Sequence, residues 1–265
     1  MNLPRRYHRI PGITLVEILV VIGIVVILAV VSFSASKAML TRARTVESTA
    51  NLRSLAIANT NHVADHGVYC PASDQSNNRR WHGSRKSVDG RFDPTTGFLS
   101  PHLGKSMRVT TCPLFTAIVG GSVSFENGTG GYGYNSAYIG GRPGGAFDPK
   151  TKILISERPA NVSDPGRTVM FTTVAYARPS GLQESADCEP PFWDYGSGPT
   201  GDRPSPTVHF RANGKALVAW CDGSVTAEMK NTSSPGANPH GGDAEQWNLG
   251  WFGPDANNGR WNPKN

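Results

Sequence analysis

Hydrophobic and polar positions divide the chain into an apolar run, an amphipathic stretch and a long turn-rich region. The run extends from Ile13 to Val31 and is interrupted by two polar residues, Thr14 and Glu17, and by one glycine, Gly23. At 1.5 Å per residue, a helix of this length is about 28 Å long, just enough to cross the hydrocarbon layer of a bilayer. The pattern therefore predicts a membrane-spanning helix over 13–31.

The stretch after Val31 predicts that the same helix continues in amphipathic form. No proline lies between Pro11 and Pro71, and Gly67 is a suitable helix stop. Apolar residues recur mostly at three- and four-residue steps, which places them on one helix face. They are Met39, Ala43, Val46, Ala50 and Ile57, with Leu52, Leu55, Ala56 and Val63 widening the face. We therefore expect one helix over 13–66 whose second half packs on other elements.

After Gly67 the chain consists of short β-prone segments separated by loops. Residues 68–105 read as a long irregular loop region. The strands predicted after it are 107–111, 132–139, 152–156, 168–175, 206–211, 215–221 and 224–229. Asn-Gly and Asp-Gly between β-prone runs favour tight hairpins. Asn213-Gly214 and Asp222-Gly223 therefore predict a three-stranded antiparallel meander over 206–229.

Composition supports a head rich in β-structure. The chain has 265 residues, and its 30 glycines and 20 prolines suit a turn-rich head better than a helical one. The predicted fold class is α+β: a long N-terminal α-helix, half transmembrane and half amphipathic, packed on an antiparallel β-sheet head with long loops. The expected parts are a leader at 1–12, the helix at 13–66 and a globular head at 67–265.

Glu17 is the unusual residue of the apolar run. A charge in the bilayer centre costs roughly 2.5–3.5 kcal/mol on insertion scales, so this carboxylate calls for a partner. Gly12 lies just before the run. Cleavage after Gly12 would create an amino group at Ile13, one helical turn from Glu17, and such a pair can neutralise each other.

Two alternatives for the apolar run remain open. A secretory signal has an apolar core of 7–15 residues followed by a small-residue cleavage site, and here only 32–36 imitates one. An uncut signal anchor would have the same run. Its orientation is poorly set by charge, because Arg5, Arg6 and Arg9 before the run are balanced by Lys37, Arg42 and Arg44 after it.

The segment Gly12-Ile13-Thr14-Leu15-Val16-Glu17 resembles the prepilin cleavage and methylation motif of type IV pilins and type II secretion pseudopilins. In that family a membrane peptidase cuts after the glycine and methylates the new amino terminus. The resemblance implies cleavage between Gly12 and Ile13 and N-methylation of Ile13, where the family usually has Phe. It also implies that Glu17 is the assembly charge, paired with the Ile13 amino group of a neighbouring subunit.

The same resemblance implies a function and a location. It implies a structural subunit of a type II secretion pseudopilus or type IV pilus-like filament, assembled through its N-terminal helix. The implied partners are prepilin peptidase, an inner-membrane assembly platform, and pseudopilins of the same and other kinds. The protein would span the inner membrane once, with its N-terminus cytoplasmic and its head periplasmic, and would then enter a periplasmic or extracellular filament.

Residues 213–225 resemble the C-terminal segment of large-headed pseudopilin-like proteins, often described as H-x9-D-G. Asp222-Gly223 matches its D-G, but Ala212 stands at the histidine position and His209 lies three residues earlier.

His209 and Asp222 could also act as a general base and its orienting carboxylate. The alternative is that His209 is an ordinary strand residue and Asp222 an ordinary turn residue. The sequence has no nucleophile-elbow, zincin or phosphate-loop motif, so no enzymatic activity is expected.

Calcium is the cofactor considered from the resemblance. In the family that this chain resembles, some pseudopilin heads have a loop near the sheet that calcium stabilises. Calcium takes six to eight oxygen ligands, and Asp222, Asp243 and Asp255 are the candidates here. No D-x-D-x-D-G loop is present, and no other cofactor is expected.

The four cysteines are widely spaced and form no C-x-x-C motif, which disfavours a metal or redox site. An exported head would meet an oxidising compartment, where disulfides form. Three pairings are open, of which we take Cys70–Cys112 with Cys188–Cys221 as the expectation. The alternative is four buried free thiols.

The tryptophans raise an alternative function. Trp220, Trp247, Trp251 and Trp261 cluster near the C-terminus and could form the binding face of a membrane-anchored exported carbohydrate-binding module. The other interpretation is that they fill the core of the head, because tryptophan buries a large apolar area.

The formal charge is +6, but Arg79-Arg80-Trp81 is the one basic and aromatic cluster, so nucleic-acid binding is not expected.

Overall fold

A long N-terminal helix is the first element of the computed structural model, which describes residues 14–104, 111–119, 128–231, 238–254 and 257–264. This helix, α1, spans Leu15–His66. It ends where the sequence predicts. Gly67 follows with φ of 74° and donates its N–H to the Val63 carbonyl at 2.7 Å, a left-handed cap that favours glycine.

By its contacts the chain forms two compact units, one up to Ala43 and one from Arg44 onward. The second unit contains the C-terminal part of α1 and the whole head. In that part Leu52, Leu55 and Ala56 are fully buried. The Asn59 side chain, also buried, donates to the Tyr134 hydroxyl at 3.0 Å and accepts the Cys70 N–H at 2.8 Å.

The buried face of α1 differs from the one predicted first. Met39, Val46 and Ile57 remain more than half exposed. The buried face instead contains the residues expected only to widen it, together with polar Ser48 and Asn59. Polar side chains can occupy a core position when tertiary partners satisfy their hydrogen bonds, and an apolar spacing rule does not detect this.

The head is built on a four-stranded antiparallel sheet in the order β3-β4-β8-β9. Together with α1 it establishes the α+β class. The strands of this sheet are β3 (Tyr132–Tyr134), β4 (Val169–Thr173), β8 (Lys215–Trp220) and β9 (Val225–Met229).

Strand β8 is covered on both faces of the sheet, and its alternate residues point to two different core layers. Leu217 and Ala219 of β8 belong to the core layer that contains the buried residues of α1. Three alternate residues of β8 belong to a second layer with C-terminal aromatic side chains, whereas Lys215 is exposed. That layer includes Ala216, Val218, Trp220, Trp251, Phe252 and Trp261.

Smaller elements surround the sheet. They are β1 (Arg79–Arg80) paired with β2 (Gly83–Ser84), β5 (Tyr176–Arg178) paired with β6 (Gly181–Gln183), β7 (Val208–His209) paired with β10 (Leu249–Gly250), and the short helix α2 (Pro113–Val119). Short 3-10 turns occupy Pro94–Thr96, Ser100–His102 and Pro159–Asn161. The region 68–105 is therefore less irregular than predicted. Residues 107–110 of a predicted strand lie outside the described residues.

The three-stranded meander predicted over 206–229 is wrong in its first pairing. The Asp222-Gly223 turn joins β8 and β9 as expected. At Asn213-Gly214, both residues have positive φ, and Ala212 and Lys215 form one bridge. Beyond that turn the chain separates, and β7 pairs with the distant β10. The turn signal was correct, but the partner of β7 lies far along the sequence.

The four cysteines are buried free thiols, so the expected disulfides are absent from the structure. Cys188 lies in the core layer with Trp261, whereas Cys221 lies in the layer that contacts α1. Cys112 instead hydrogen-bonds the Ser48 hydroxyl, with 3.3 Å between sulfur and oxygen.

The turn at Gly214 gives a test of the hairpin. Gly214 has φ of 77° and open space where a Cβ would stand, so Gly214→Ala isolates the backbone cost. A non-glycine residue in this conformation costs about 1–2 kcal/mol. We expect the free energy of unfolding to fall by about 1 kcal/mol in chemical denaturation. Gly201→Ala is the matched control, since Gly201 also has open space but no positive φ; equal losses would contradict the assignment.

Candidate functional site

The N-terminus of α1 is closed by a reciprocal cap between Thr14 and Glu17. The Thr14 N–H and hydroxyl both donate to Glu17 Oε2 at 2.8 Å, and the Glu17 N–H donates to the Thr14 hydroxyl at 3.3 Å. This is the capping-box arrangement of a Thr followed three residues later by Glu. The motif was present in the sequence and would have predicted this contact. Glu17 therefore holds its carboxylate at the helix start.

The apolar segment of α1 presents large side chains on every side. All of its large hydrophobic residues from Leu15 to Phe33 are between 51% and 80% exposed. Burying one such side chain is worth about 1.5–3 kcal/mol relative to leaving it in water. A segment of this kind needs lipid or other protein around it.

One described helix, α1, is long and apolar enough to cross a membrane. Its part before Arg44 is roughly 40 Å long at 1.5 Å per residue, more than the hydrocarbon thickness of about 30 Å. This is weak evidence for a membrane anchor near the N-terminus. The predicted leader 1–12, the cut site Gly12 and the methylation site Ile13 lie outside the described residues.

His209 and Asp222, weighed as a catalytic pair, are engaged separately. His209 lies on β7, is buried, and has its Nδ1 3.0 Å from Nη1 of Arg211. Burial, with the charge of Arg211, holds the pKa of His209 well below its usual range. Asp222 Oδ1 accepts the N–H and hydroxyl of Ser224 at 2.8 and 2.7 Å in the β8–β9 turn. Each residue thus has a local structural role.

The two calcium candidates in the described residues, Asp222 and Asp243, accept hydrogen bonds within turns. Asp243 Oδ1 accepts the N–H groups of Glu245 and Gln246 at 2.9 and 3.0 Å, as Asp222 does for Ser224. Asp255 lies outside the described residues. In the described part of the chain, no three His, Cys, Asp or Glu side chains are grouped so as to hold a metal ion.

Three of the four C-terminal tryptophans fill the core, as one interpretation of the sequence predicted, and Trp247 is half-buried against it. Trp220, Trp251 and Trp261 are at most 4% exposed. The indole N–H of Trp261 donates to the Cys188 carbonyl at 3.1 Å, and that of Trp251 donates to the Glu189 carbonyl at 2.9 Å. Their rings are therefore not a surface for ligands. Trp193, away from this group, is 37% exposed.

Comparison of the chain with models of protein families, with curated proteins and with solved structures finds no match in any of the three.

His82, which the sequence did not single out, is the most costly buried polar side chain of the head. It is fully buried, and neither ring nitrogen has a hydrogen-bond partner among the described residues. The ring packs edge-to-face against Trp81 and Phe92. Burial, helped by the charges of Arg80 and Arg85, holds the pKa of His82 well below its usual range.

His82 predicts acid sensitivity of the head. It stays neutral when folded, while an unfolded histidine binds a proton near pH 6.5, so stability is lost as pH falls below about 6.5. Each pH unit below 6.5 through which the folded ring stays neutral costs about 1.4 kcal/mol. We expect His82→Phe to reduce the loss of unfolding free energy between pH 7 and pH 5 by 1–2 kcal/mol, to order of magnitude. The exposed His66→Asn is the control; an unchanged loss in His82→Phe would refute this assignment.

Proposed function

We propose that this protein is a structural subunit of a type II secretion pseudopilus or type IV pilus-like filament, stored in a membrane and assembled through α1. The observation that carries the proposal is the apolar segment Leu15–Phe33, fully exposed around the helix, with a single carboxylate held at its start. The leader motif at Gly12 and Glu17 supplies the processing step.

The exposed apolar segment supports storage in lipid followed by assembly. A segment with large apolar side chains on every side can rest in a bilayer without a partner. It can leave the bilayer only if neighbouring copies cover the same surface. Packing of many such helices side by side meets this requirement, whereas a soluble monomer does not.

The geometry at Glu17 leaves room for the pairing expected from the leader. Both Thr14 groups donate to Oε2, and Oε1 has no hydrogen-bond partner among the described residues. An amino group at Ile13 of a neighbouring subunit would give Oε1 a charge-assisted partner. In the filament, the cap would orient the carboxylate and the amine would neutralise it.

The head is firmly joined to the second part of α1. Leu52, Leu55 and Ala56 pack into the main core layer, and Asn59 bridges to Cys70 and Tyr134. A helix that enters a filament would therefore carry its head with it. The head then becomes the part of the subunit that faces outward from the helix bundle.

Two substitutions of Glu17 separate the effect of its charge on assembly from the effect of its hydrogen bonds that cap the helix. Gln can also take the Glu position of a capping box, so Glu17→Gln keeps the cap and loses the charge. We expect Glu17→Gln and Glu17→Ala to insert normally in the membrane and to enter filaments poorly. Filament incorporation is measured by shearing and sedimentation, with membrane fractions as the loading reference.

Glu47→Gln is the matched control, because Glu47 is an exposed carboxylate on the same helix. It should assemble like wild type. If Glu17→Gln assembles as well as wild type while Glu17→Ala does not, the residue acts only as a helix cap, and the pairing is wrong.

Processing at Gly12 gives a separate test. Gly12→Val places a branched side chain at the cut site, so the leader should remain attached. Intact-mass measurement of protein purified from its native host should show Met1 to Gly12 removed in wild type and retained in the variant. Gly23→Ala changes another glycine of the same segment and should be processed normally. Cleavage of Gly12→Val to the wild-type product would place the cut elsewhere.

A further inference from the structure

Three cavities of the head surround one loop, and none of their lining residues belongs to α1. The largest cavity there has a volume of about 410 Å³, and two others of about 350 Å³ adjoin it. Glu189 and Trp193 line both the first and the second cavity. Arg142 and Asp194 line both the first and the third. Because the cavities share these lining residues, they lie next to one another around the segment 193–198, and we call the three together the groove.

Two exposed aromatic side chains, Trp193 and Tyr195, line this groove. Trp193 is 37% and Tyr195 67% exposed, although such rings are usually buried in a head of this size. Their planes are nearly parallel, with 17° between them and 6.4 Å between ring centroids. The two rings are therefore stacked, and both contribute apolar surface to the lining of the first cavity.

The loop that carries these two rings is held by hydrogen bonds before any ligand arrives. Trp193 exchanges backbone hydrogen bonds with the far side of its loop, its N–H donating to Asp202 at 3.0 Å and its carbonyl accepting from Thr200 at 2.7 Å. Asp194 accepts the Gly196 and Gly198 N–H groups at 2.9 and 3.1 Å and the Tyr138 hydroxyl at 2.9 Å. Preorganisation of this kind reduces the entropic cost of binding.

Glu189 gives the groove a polar group without a protein partner. No hydrogen bond or ion pair to its side-chain carboxyl is found in the described part of the chain, and the carboxyl lines two cavities. Burial, and the negative charge of Asp187, raise the pKa of Glu189 to about 8. The raised pKa favours the neutral acid, which can both donate and accept a hydrogen bond.

Arg142 supplies a second such group on the wall. Its Nε is buried and has no hydrogen-bond partner among the described residues. Its guanidinium lies 3.8 Å from the Glu157 carboxylate, so the positive charge is already partly balanced. A buried donor without a partner is costly, and a ligand that accepts its hydrogen bond would relieve this cost.

We propose that this groove binds a neutral oligosaccharide. A sugar ring has an apolar face that can lie on Trp193 and Tyr195, and hydroxyl groups at its edge that both donate and accept. Those hydroxyls match the neutral acid of Glu189 and the free donor of Arg142. An apolar ligand would leave both polar groups unsatisfied, and an anion or cation would meet mixed charges on the walls. This site goes beyond filament assembly and does not depend on it.

The test is calorimetric titration of the full chain in lipid nanodiscs, because sugar-based detergents would compete. The probes are the hexaoses of glucose (β-1,4 and α-1,4), xylose, mannose and N-acetylglucosamine, with hexagalacturonate as an acidic probe. We expect at least one neutral hexaose to bind. Trp193→Ala and Tyr195→Ala should each weaken that binding at least roughly tenfold, which is about 1.4 kcal/mol. Met229→Ala removes an exposed side chain from β9 and should not change it.

Glu189→Gln provides the discriminating variant. Gln keeps a donor and an acceptor but cannot titrate, so any pH dependence that Glu189 gives to binding should be lost in this variant. Wild-type affinity should fall several-fold between pH 7 and pH 9 while that of Glu189→Gln stays constant. Tyr195 is mostly exposed, so Tyr195→Ala keeps the test valid if Trp193→Ala fails to fold. Binding of hexagalacturonate alone, no binding tighter than roughly 1 mM, or wild-type affinity in Tyr195→Ala would overturn the proposal.

Discussion

The rest of the structure depends on how the apolar segment of α1 is kept from water. From Leu15 to Phe33 its large side chains are exposed on all sides, and the protein offers no second apolar layer over them among the described residues. Exposed apolar surface of this extent is unfavourable in water and favourable in lipid or between like helices. The proposed sequence of membrane storage and assembly is a consequence of this one requirement. Glu17 adds a carboxylate at the helix start, where Oε2 accepts two hydrogen bonds from Thr14 and Oε1 has no hydrogen-bond partner among the described residues.

The second part of α1, unlike the first, is partly buried by the rest of the protein. Here the helix buries one face in the head, and the buried positions include Ser48 and Asn59, which are satisfied by Cys112, Tyr134 and the chain at Cys70. These contacts give the helix a defined position on the head unit. The sheet is then closed on its other face by C-terminal aromatic residues. The two parts of one helix thus differ in their surroundings: large side chains are exposed in the first part, and one face is buried in the second.

Local signals in the sequence were sufficient for the helix and its end, because the absence of proline and the glycine at position 67 act within a few residues. They were sufficient for the β8–β9 hairpin for the same reason. They were insufficient for the pairing of β7 with β10, since that partner lies far along the chain. They also missed the groove at Trp193, because its walls come from segments that only the fold brings together. The cap between Thr14 and Glu17 was readable from spacing alone.

The central claim is that lipid or neighbouring helices cover the apolar segment in the native protein. Labelling of a single introduced cysteine by a membrane-impermeant maleimide tests it directly, because the four native cysteines are buried. Val25 and Val88 are each 57% exposed in the isolated chain, so Val25→Cys and Val88→Cys form a matched pair. In membranes and filaments from the native host, we predict fast labelling at position 88 and almost none at position 25. Equal labelling rates at the two positions would contradict the account.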